Sequence, residues 1–562
     1  MTCAVGCDPA TAVHWEERSL DRRNELTQYN PSLFSSAKPS NLHRDVIFTM
    51  TTCKRYDLAT DTLNSFFNMC SDWWVIKDWY IFDDNSDPKD IARLKFCYPF
   101  INIVSLSGCK GHPANLNSMI TTLKQNPCSW VFHLEDDWLT TKPFSIEHMI
   151  YMANKAGIDQ LHVNRHYAED STHSQQQHFK QRFSSSDPGH PDVLSHSQSN
   201  SNDPIEWATT WPGFSFRPAL TKSVIWTDTY VENCGDFERK LSTQLNKKNC
   251  VVGWLDDIIQ LHIGAKNRDD HSLIPNAYSL NKESQYGNPP KAVPTEQNIP
   301  TVVTFTTCKR LNIFKNCLQS FVNRMSSKVD YTIVVVDDSS SATDRKTMED
   351  WQIVGSFLVH QSKSHQASLN FLWDYVKKIT GAKWWISSED DWFWTRRIDM
   401  KSLIRQYEHS CVHQIVFQTH SESSKGFSHH RFDTRKRPPS CMDDAYASSA
   451  LNYDCVVDGC WWPSLSLQPS LMKIQTVMWS PPWHLFKDPT DFEYRISMEM
   501  YKLGFSIATY DAGVRHCDGP SAYLINDTHR SFELVSCPNH RPTGFDYRCE
   551  HCIMHRDWSL KQ

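Results

Sequence analysis

Short apolar runs bounded by polar residues recur along the chain, each followed by a stretch whose apolar positions repeat at helical spacing. Asp45–Thr52 (DVIFTMTT) and Thr301–Thr307 (TVVTFTT) are rich in β-branched and aromatic residues, which predicts strands. Leu58–Cys70 and Ile313–Met325 place apolar residues three and four apart, which predicts helices. A second strand follows in WYIFDD and YTIVVVDD, ending in the acid pairs Asp83–Asp84 and Asp337–Asp338. A second helix is expected through ANLNSMITTLK and ASLNFLWDYVKKI. A further strand, WVFHLEDDW or WWISSEDDW, ends in Glu135–Asp136–Asp137 or Glu389–Asp390–Asp391. Such alternation predicts an α/β protein with open, mostly parallel sheets and helices on both faces. Ligands of such sheets gather at the carboxyl ends of the strands, where both acidic clusters fall.

The same signatures occur twice. TTCKR stands at Thr51–Arg55 and Thr306–Arg310, and FDDNS at Phe82–Ser86 answers VDDSS at Val336–Ser340. HPANLN at His112–Asn117 answers HQASLN at His365–Asn370, and EDDW recurs at Glu135–Trp138 and Glu389–Trp392. PGFSFRPALTK from Pro212 matches PSLSLQPSLMK from Pro463. DFE recurs at Asp236–Glu238 and Asp491–Glu493, and an isolated His at His262 and His516. Seven matches in one order predict a tandem duplication. Its parts are a polar, loosely packed lead-in (1–44), a first domain (45–282), a Pro-rich linker (283–300), a second domain (301–526) and a Cys/His-bearing tail (527–562).

Bulk properties narrow the function classes. The 562 residues exceed one ordinary core. The net charge of -6 offers no electrostatic case for nucleic acid or an anionic membrane. The first 25 residues lack the apolar core of a signal peptide, and no apolar run reaches the ~18–20 residues of a spanning helix. The expectation is a soluble, cytoplasmic chain with no transmembrane segment, whose 19 cysteines are mostly reduced thiols. Its 21 tryptophans suit sugar-facing surfaces as well as a rich core.

Three adjacent carboxylates at a strand end repel one another unless a cation neutralises them, and such oxygen ligands suit Mg²⁺ or Mn²⁺. A solvated acidic turn is the alternative for one triplet; its recurrence after an apolar strand and before Trp favours the ligand role. TTCKR, DDNS and EDDW, strand-terminal and in this order, resemble the GT-A class of metal-dependent glycosyltransferases, whose DxD motif is sometimes written EDD. The resemblance implies two tandem, Rossmann-like GT-A domains that bind a nucleotide-sugar. It makes Asp137 and Asp391 direct metal ligands, and it sets Glu135, Asp136, Glu389 and Asp390 against ribose or metal-bound water. Of the second-strand acids, Asp83 or Asp84 and Asp337 or Asp338 would contact the base; a helix cap or Asx turn is their alternative. Thr52, Arg55, Thr307 and Arg310 follow the first strand, where Arg faces nucleotide or diphosphate or is simply exposed. His262 and His516 match the late His that several of these enzymes add as a metal ligand.

For the base that takes the acceptor's proton, the segment TDFEYRISMEMYKLGFSI resembles the late helix of inverting members, with Gly504 thirteen residues after Asp491. It points to Asp491 and Asp236, with Glu493 and Glu238 as alternates. A helix N-terminal acid facing the dipole is the structural reading. Copy one has Asn249 where copy two has Gly504, a poorer match. The segments 165–210 and 420–462 differ between copies and are the expected acceptor regions, which predicts two different linkages. In the tail, Cys537, His540, Cys549, Cys552 and His555 could form a structural Zn²⁺ site or pack as thiols.

The expected activity is transfer of a sugar from a UDP- or GDP-sugar to a glycan or glycoprotein acceptor, without nucleic acid as a partner. A nucleotidyltransferase acting on sugar phosphates is a rival, though TTCKR is no Gly-rich phosphate loop. A non-catalytic, glycan-binding copy is another.

Overall fold

The computed structural model describes residues 22–35, 45–105, 111–164, 179–183, 193–196, 214–232, 234, 237–264, 280–281, 300–326, 329–360, 365–379, 381–408, 412–418, 465–477, 496–497, 500, 505, 507–511 and 513–516. The chain divides into two compact units, Met1–Glu296 and Gln297–Gln562.

In the first unit, β1 (Val46–Thr52) is buried along its whole length, as a central strand flanked on both faces must be. It pairs in parallel with β2 (Ile76–Asp83) on one side and β4 (Trp130–Glu135) on the other. β3 (Asn102–Ser105) extends the sheet beyond β2. The helices Tyr56–Met69 and His112–Gln125 connect these strands. Alternate residues of β1 face opposite sides: Ile47 packs with the His112–Gln125 helix and the later Phe237–Lys247 helix, while Phe48 contacts Phe66, Trp79 and Phe132.

Past β4 the order is β9 (Ala219–Lys222), β6 (Gln160–His162) and β10 (Val252–Leu255). β9 runs antiparallel to both β4 and β6, the one reversed strand of this central part. A hairpin of β7 (Phe179–Phe183) and β8 (Val193–His196) then extends the β10 edge to nine strands. It lies within the segment 165–210, rich in Ser, His and Gln, where polar composition conceals the alternation of an edge hairpin. A short ladder outside this sheet pairs β5 (Trp138–Thr140) with β11 (Gln260–His262).

The second unit has β12 (Thr301–Thr307), β13 (Tyr331–Asp338), β14 (Val354–His360), β15 (Trp384–Glu389), β17 (Gln414–Gln418), β18 (Ser470–Lys473) and β19 (Ile507–Asp511). Their order, β14-β13-β12-β15-β18-β17-β19, repeats that of the first seven strands of the other sheet, and β18 is again reversed. A ladder of β16 (Trp392–Trp394) and β20 (Val514–His516) matches β5 and β11. The fold is mixed α/β with mostly parallel sheets, as expected.

One expectation is corrected. Residues 22–35, assigned to a loosely packed lead-in, dock on the Tyr56–Met69 helix. Asn64 Nδ2 donates to Thr27 O, and Asn68 Nδ2 to Leu26 O and Gln28 O, each at 2.9 Å. Leu26 and Tyr29 are 2% and 1% exposed, and the Tyr29 hydroxyl donates to Cys97 O at 2.7 Å. Leu26, Tyr29, Leu33 and Phe34 are too few to show a period, yet enough to cap a core edge, with Phe34 packed on Tyr29 and Phe67. The described cysteines, such as Cys53, Cys70 and Cys308, form no disulfide. Among the described residues no helix is long and apolar enough to cross a membrane. Residues 282–299, which hold all of the linker but its last residue, and the Cys537–His555 motif lie outside the described residues.

Candidate active site

Each unit builds the same constellation at the carboxyl ends of its parallel strands. After β1 the chain turns at Lys54, whose φ of 53° is left-handed, and after β12 at Lys309, with φ 52°. A second pair of left-handed turns follows β2 and β13, at Asn85 (φ 65°) and Ser339 (φ 69°). Lys54 N donates to Ser86 Oγ at 2.7 Å and Lys309 N to Ser340 Oγ at 2.8 Å, so the two turns brace one another.

The first turn aims Arg55 and Arg310 at the acidic triplets. Arg55 donates from Nε and Nη2 to both carboxylate oxygens of Asp136, and from Nη1 to Asp137 Oδ2 at 2.8 Å. Arg310 treats Asp390 and Asp391 identically, with 2.9 Å to Asp391 Oδ2. Thr52 and Thr307 add hydroxyl donations to Asp136 and Asp390 at 2.8 and 2.9 Å, and the Cys53 and Cys308 amides add one each at 3.3 Å. The cation that neutralises the triplet is therefore, in part, the protein's own arginine.

Asp136 and Asp390 are 0% and 1% exposed, and these internal donors engage both oxygens of each carboxylate. Burial pushes both carboxyls up to about 6, even against the arginine. Asp137 and Asp391 behave oppositely. Burial works against their charge, but the arginine and the late histidine outweigh it and hold both below the usual carboxylate range.

The late histidine arrives through the short ladders. Register pairs His262 with Trp138 and His516 with Trp392. The ring centroids lie 4.9 and 5.2 Å apart. This places His262 Nε2 3.3 Å from Asp137 Oδ2, and His516 Nε2 3.2 Å from Asp391 Oδ2. The Trp of EDDW thus positions the metal-ligand candidate some 120 residues away in sequence. Gly264 is required beside it, because a Cβ there would overlap the Asp137 carboxylate.

These residues fit a divalent cation. Asp137 Oδ1 and Asp391 Oδ1 are buried and have no hydrogen-bond partner among the described residues. Such an orphaned acceptor is costly unless something binds it. A carboxylate oxygen beside an imidazole nitrogen suits Mn²⁺ or Mg²⁺ that completes its shell with substrate phosphates. Among the described residues no group of three or more His, Cys, Asp or Glu is arranged to hold a metal.

The second-strand acids are likewise buried. Asp83 Oδ2 accepts from Ser86 N at 3.2 Å, and burial raises its pKa. Asp337 Oδ2 accepts from Ser340 N at 3.3 Å and also from Arg345 Nε at 2.8 Å. Asp83 Oδ1 and Asp337 Oδ1 both stand without a partner among the described residues. Asp84 Oδ2 accepts from Gly111 N at 3.0 Å and Asn281 Nδ2 at 2.7 Å, while Lys54 Nζ donates to Leu280 O at 3.1 Å. Asp338 accepts from the Ser339 and Ser368 hydroxyls.

Glu135 accepts from Trp138 Nε1 at 3.2 Å, and burial, then Asp137 and Glu238, push it up to about 8. Glu238 therefore faces the triplet. Its Oε1 accepts from Phe216 N at 3.1 Å; burial raises its pKa and Arg217 partly offsets the rise. Glu389, the last residue of β15, is half-buried. Asp236, Asp491 and Glu493 lie outside the described residues. Asn249, the departure from Gly504, has φ 62°, a conformation Asn tolerates better than most residues. His112, inside the HPANLN repeat but given no role from sequence, belongs to this neighbourhood. Burial and the Arg55 charge lower its pKa to about 4, and its ring lies 5.4 Å from that of Phe237.

No protein-family model matches the chain, and no curated protein matches it. Solved structures do. The mannosyltransferase PcManGT from Pyrobaculum calidifontis, in complex with GDP-Man and Mn²⁺, is 12% identical, with 38% of this chain and 54% of that one covered at TM-score 0.25. S. aureus TarS 1–349 with UDP-GlcNAc is 12% identical over 42% of this chain and 64% of that one, at TM-score 0.30. Glucosyl-3-phosphoglycerate synthase from Mycobacterium tuberculosis, with Mn²⁺, UDP-glucose and phosphoglyceric acid, is 9% identical over 39% and 72%, at TM-score 0.26. The match thus spans little more than half the length of the mannosyltransferase.

Proposed function

We propose that the chain arose by duplication and carries two GT-A-type glycosyltransferase domains, 45–282 and 301–526. Each would move a sugar from a UDP- or GDP-sugar to a glycan or glycoprotein acceptor. The observation that carries this reading is the Thr–Arg–Asp–Asp–His constellation built twice at strand carboxyl ends, each with one buried, unpartnered carboxylate oxygen.

In this reading Arg55 and Arg310 lock Asp136 and Asp390 in place and orient Asp137 and Asp391. Bound Mn²⁺ or Mg²⁺, held by Asp137 with His262 or Asp391 with His516, would neutralise the leaving diphosphate. Asp83 and Asp337 keep a free oxygen for a base N–H. The acceptor's proton passes to Asp236 or Glu238 in the first domain and to Asp491 or Glu493 in the second. The raised pKa of Glu238 suits it to that role.

The test is equilibrium binding of a panel of nucleotide-sugars to the full chain with Mn²⁺, then with EDTA. Binding of at least one donor, lost in EDTA and restored by Mn²⁺, supports the reading. Donor binding indifferent to EDTA would sink it.

A further inference from the structure

Arginine meets strand-end carboxylates in two ways in this chain. Arg55 and Arg310 close their forks on both oxygens of Asp136 and Asp390, the geometry that best serves a structural ion pair. Arg345 touches Asp337 on one side only. Its Nε donates to Asp337 Oδ2 at 2.8 Å, and that oxygen also accepts from Ser340 N at 3.3 Å. Asp337 Oδ1 is buried without a partner, and Arg345 Nη1 and Nη2 bond to nothing, among the described residues. The Arg345 side chain is 20% exposed, so this donor edge meets solvent at the carboxyl end of β13.

The first unit is built differently at this point. The helices after β2 and β13 begin at matching residues, Pro88 and Ala342. Ile91 therefore stands where the second unit has Arg345, at the same remove from Asp83 as Arg345 is from Asp337. Register also sets Ser105 opposite Asp83, but Val359 opposite Asp337. Asp83 Oδ1 is as unpartnered as Asp337 Oδ1, with no cation at the matching helix position.

Asp337 Oδ1 and the Nη groups are held as neighbours, because each shares a carbon with one atom of the bond between Oδ2 and Nε. Together they offer one acceptor beside a planar set of donors. The ligand edge that complements them carries an N–H next to a carbonyl, and uracil has it at N3–H with a flanking C=O. Cytosine reverses that edge: a bare N3 would face the carboxylate and an amino group the guanidinium. Guanine matches at N1–H and O6 but adds an amino group. Oδ2, with its lone pairs taken by Ser340 N and Arg345 Nε, has no room to accept from it, and a buried donor left unpaired is costly.

We propose that Arg345 is the base-specificity residue of the second unit, which takes uridine-diphosphate donors through the paired Asp337 and Arg345. The first unit, with Ile91 in that place, discriminates between bases less sharply. The assignment rests on the sugar-transferring reading above.

Site-resolved hydrogen exchange of the full chain with Mn²⁺, titrated with UDP, GDP or CDP, tests this. Protection over residues 331–349 reports the second unit, and over 76–97 the first. In the second unit UDP should protect at a concentration about tenfold lower than GDP or CDP. Arg345→Ile should raise the UDP midpoint of that unit about tenfold and leave the first unit's midpoints unchanged. Arg345→Lys keeps a charge beside Asp337 but not the planar fork, so it should lose most of the preference. Exchange over 331–338 without nucleotide shows whether each variant is folded. Equal midpoints for the three nucleotides in the second unit, protection of the first unit alone, or equal weakening of all three by Arg345→Ile overturns the proposal and leaves the transferase reading standing. Protection of neither unit by any of them removes that reading, and the proposal with it.

Discussion

The acidic side of the first unit and that of the second are held by the same bonds, whereas their supporting cores are not. Arg55 with Asp136 and Asp137 repeats as Arg310 with Asp390 and Asp391, partner for partner. Behind that identity the support differs. Thr49 Oγ1 shares a hydrogen bond with His133 Nδ1 at 2.9 Å, but its counterpart Thr304 accepts from Trp385 Nε1 at 2.8 Å. Asp337 has Arg345 as a counterion, whereas burial raises Asp83. The lesson is that a charged cluster tolerates little variation, since each buried oxygen needs its donor, while apolar packing accepts many solutions.

The comparison breaks most visibly at the arginines. Arg55→Ala leaves Asp136 buried without its partner and should destabilise the first unit by about 3–5 kcal/mol. Arg310→Ala should do the same to the second. Hydrogen exchange localised to β1 and β12 reads each unit, and equal loss in both from a single substitution would contradict two self-contained sites.

Next come Asp137→Ala and Asp391→Ala. Each removes the carboxylate that carries an unpartnered Oδ1 and whose Oδ2 faces the histidine, and under the proposed function should lower transfer by its own unit about 10²–10³-fold, leaving the other unchanged. Product analysis of each variant with the preferred donor checks this, and joint loss would mean one shared site.

A pH series sharpens the difference in cores. Burial lowers His133 to about 3 and His112 to about 4. Both stay neutral when folded and take up protons once unfolded, so the stability they allow is complete above about 6.5 and falls as pH drops toward these values. Between pH 6.5 and 5 each should cost the first unit about 2 kcal/mol. The second unit has Ser387 at the position of His133, so its acid limb should be shallower. His133→Ser should flatten the first unit's slope in denaturant unfolding at several pH values, whatever it costs at pH 7.

The smallest effect is expected at Thr62, whose hydroxyl donates to Asp136 O at 2.9 Å and accepts from Trp138 N at 3.1 Å. The second unit has Cys317 there. Thr62→Cys should cost about 1 kcal/mol in denaturant unfolding; a cost of several would show the EDDW turn to depend on it more than its counterpart does.

Much of this was legible from sequence alone. β1 and β12 are largely apolar runs because a central parallel strand is buried on both faces, and the acids stand at the carboxyl ends of the strands beside them, β2, β4, β13 and β15. The repeated His262 and His516 stood out because two copies mark what one cannot. All of these are local or periodic signals. Tertiary structure decided the rest. Arg55 meets its carboxylates across 81 residues, His262 reaches Asp137 only through a ladder with Trp138, and the reversed strand β9 lies between β4 and β6. Leu26 and Tyr29 find their pocket only once the Tyr56–Met69 helix and Cys97 are in place. Apolar period is written in neighbouring residues, because burial is a property of one face of one element. The partner of a buried charge is set by how elements meet, and no local pattern records it.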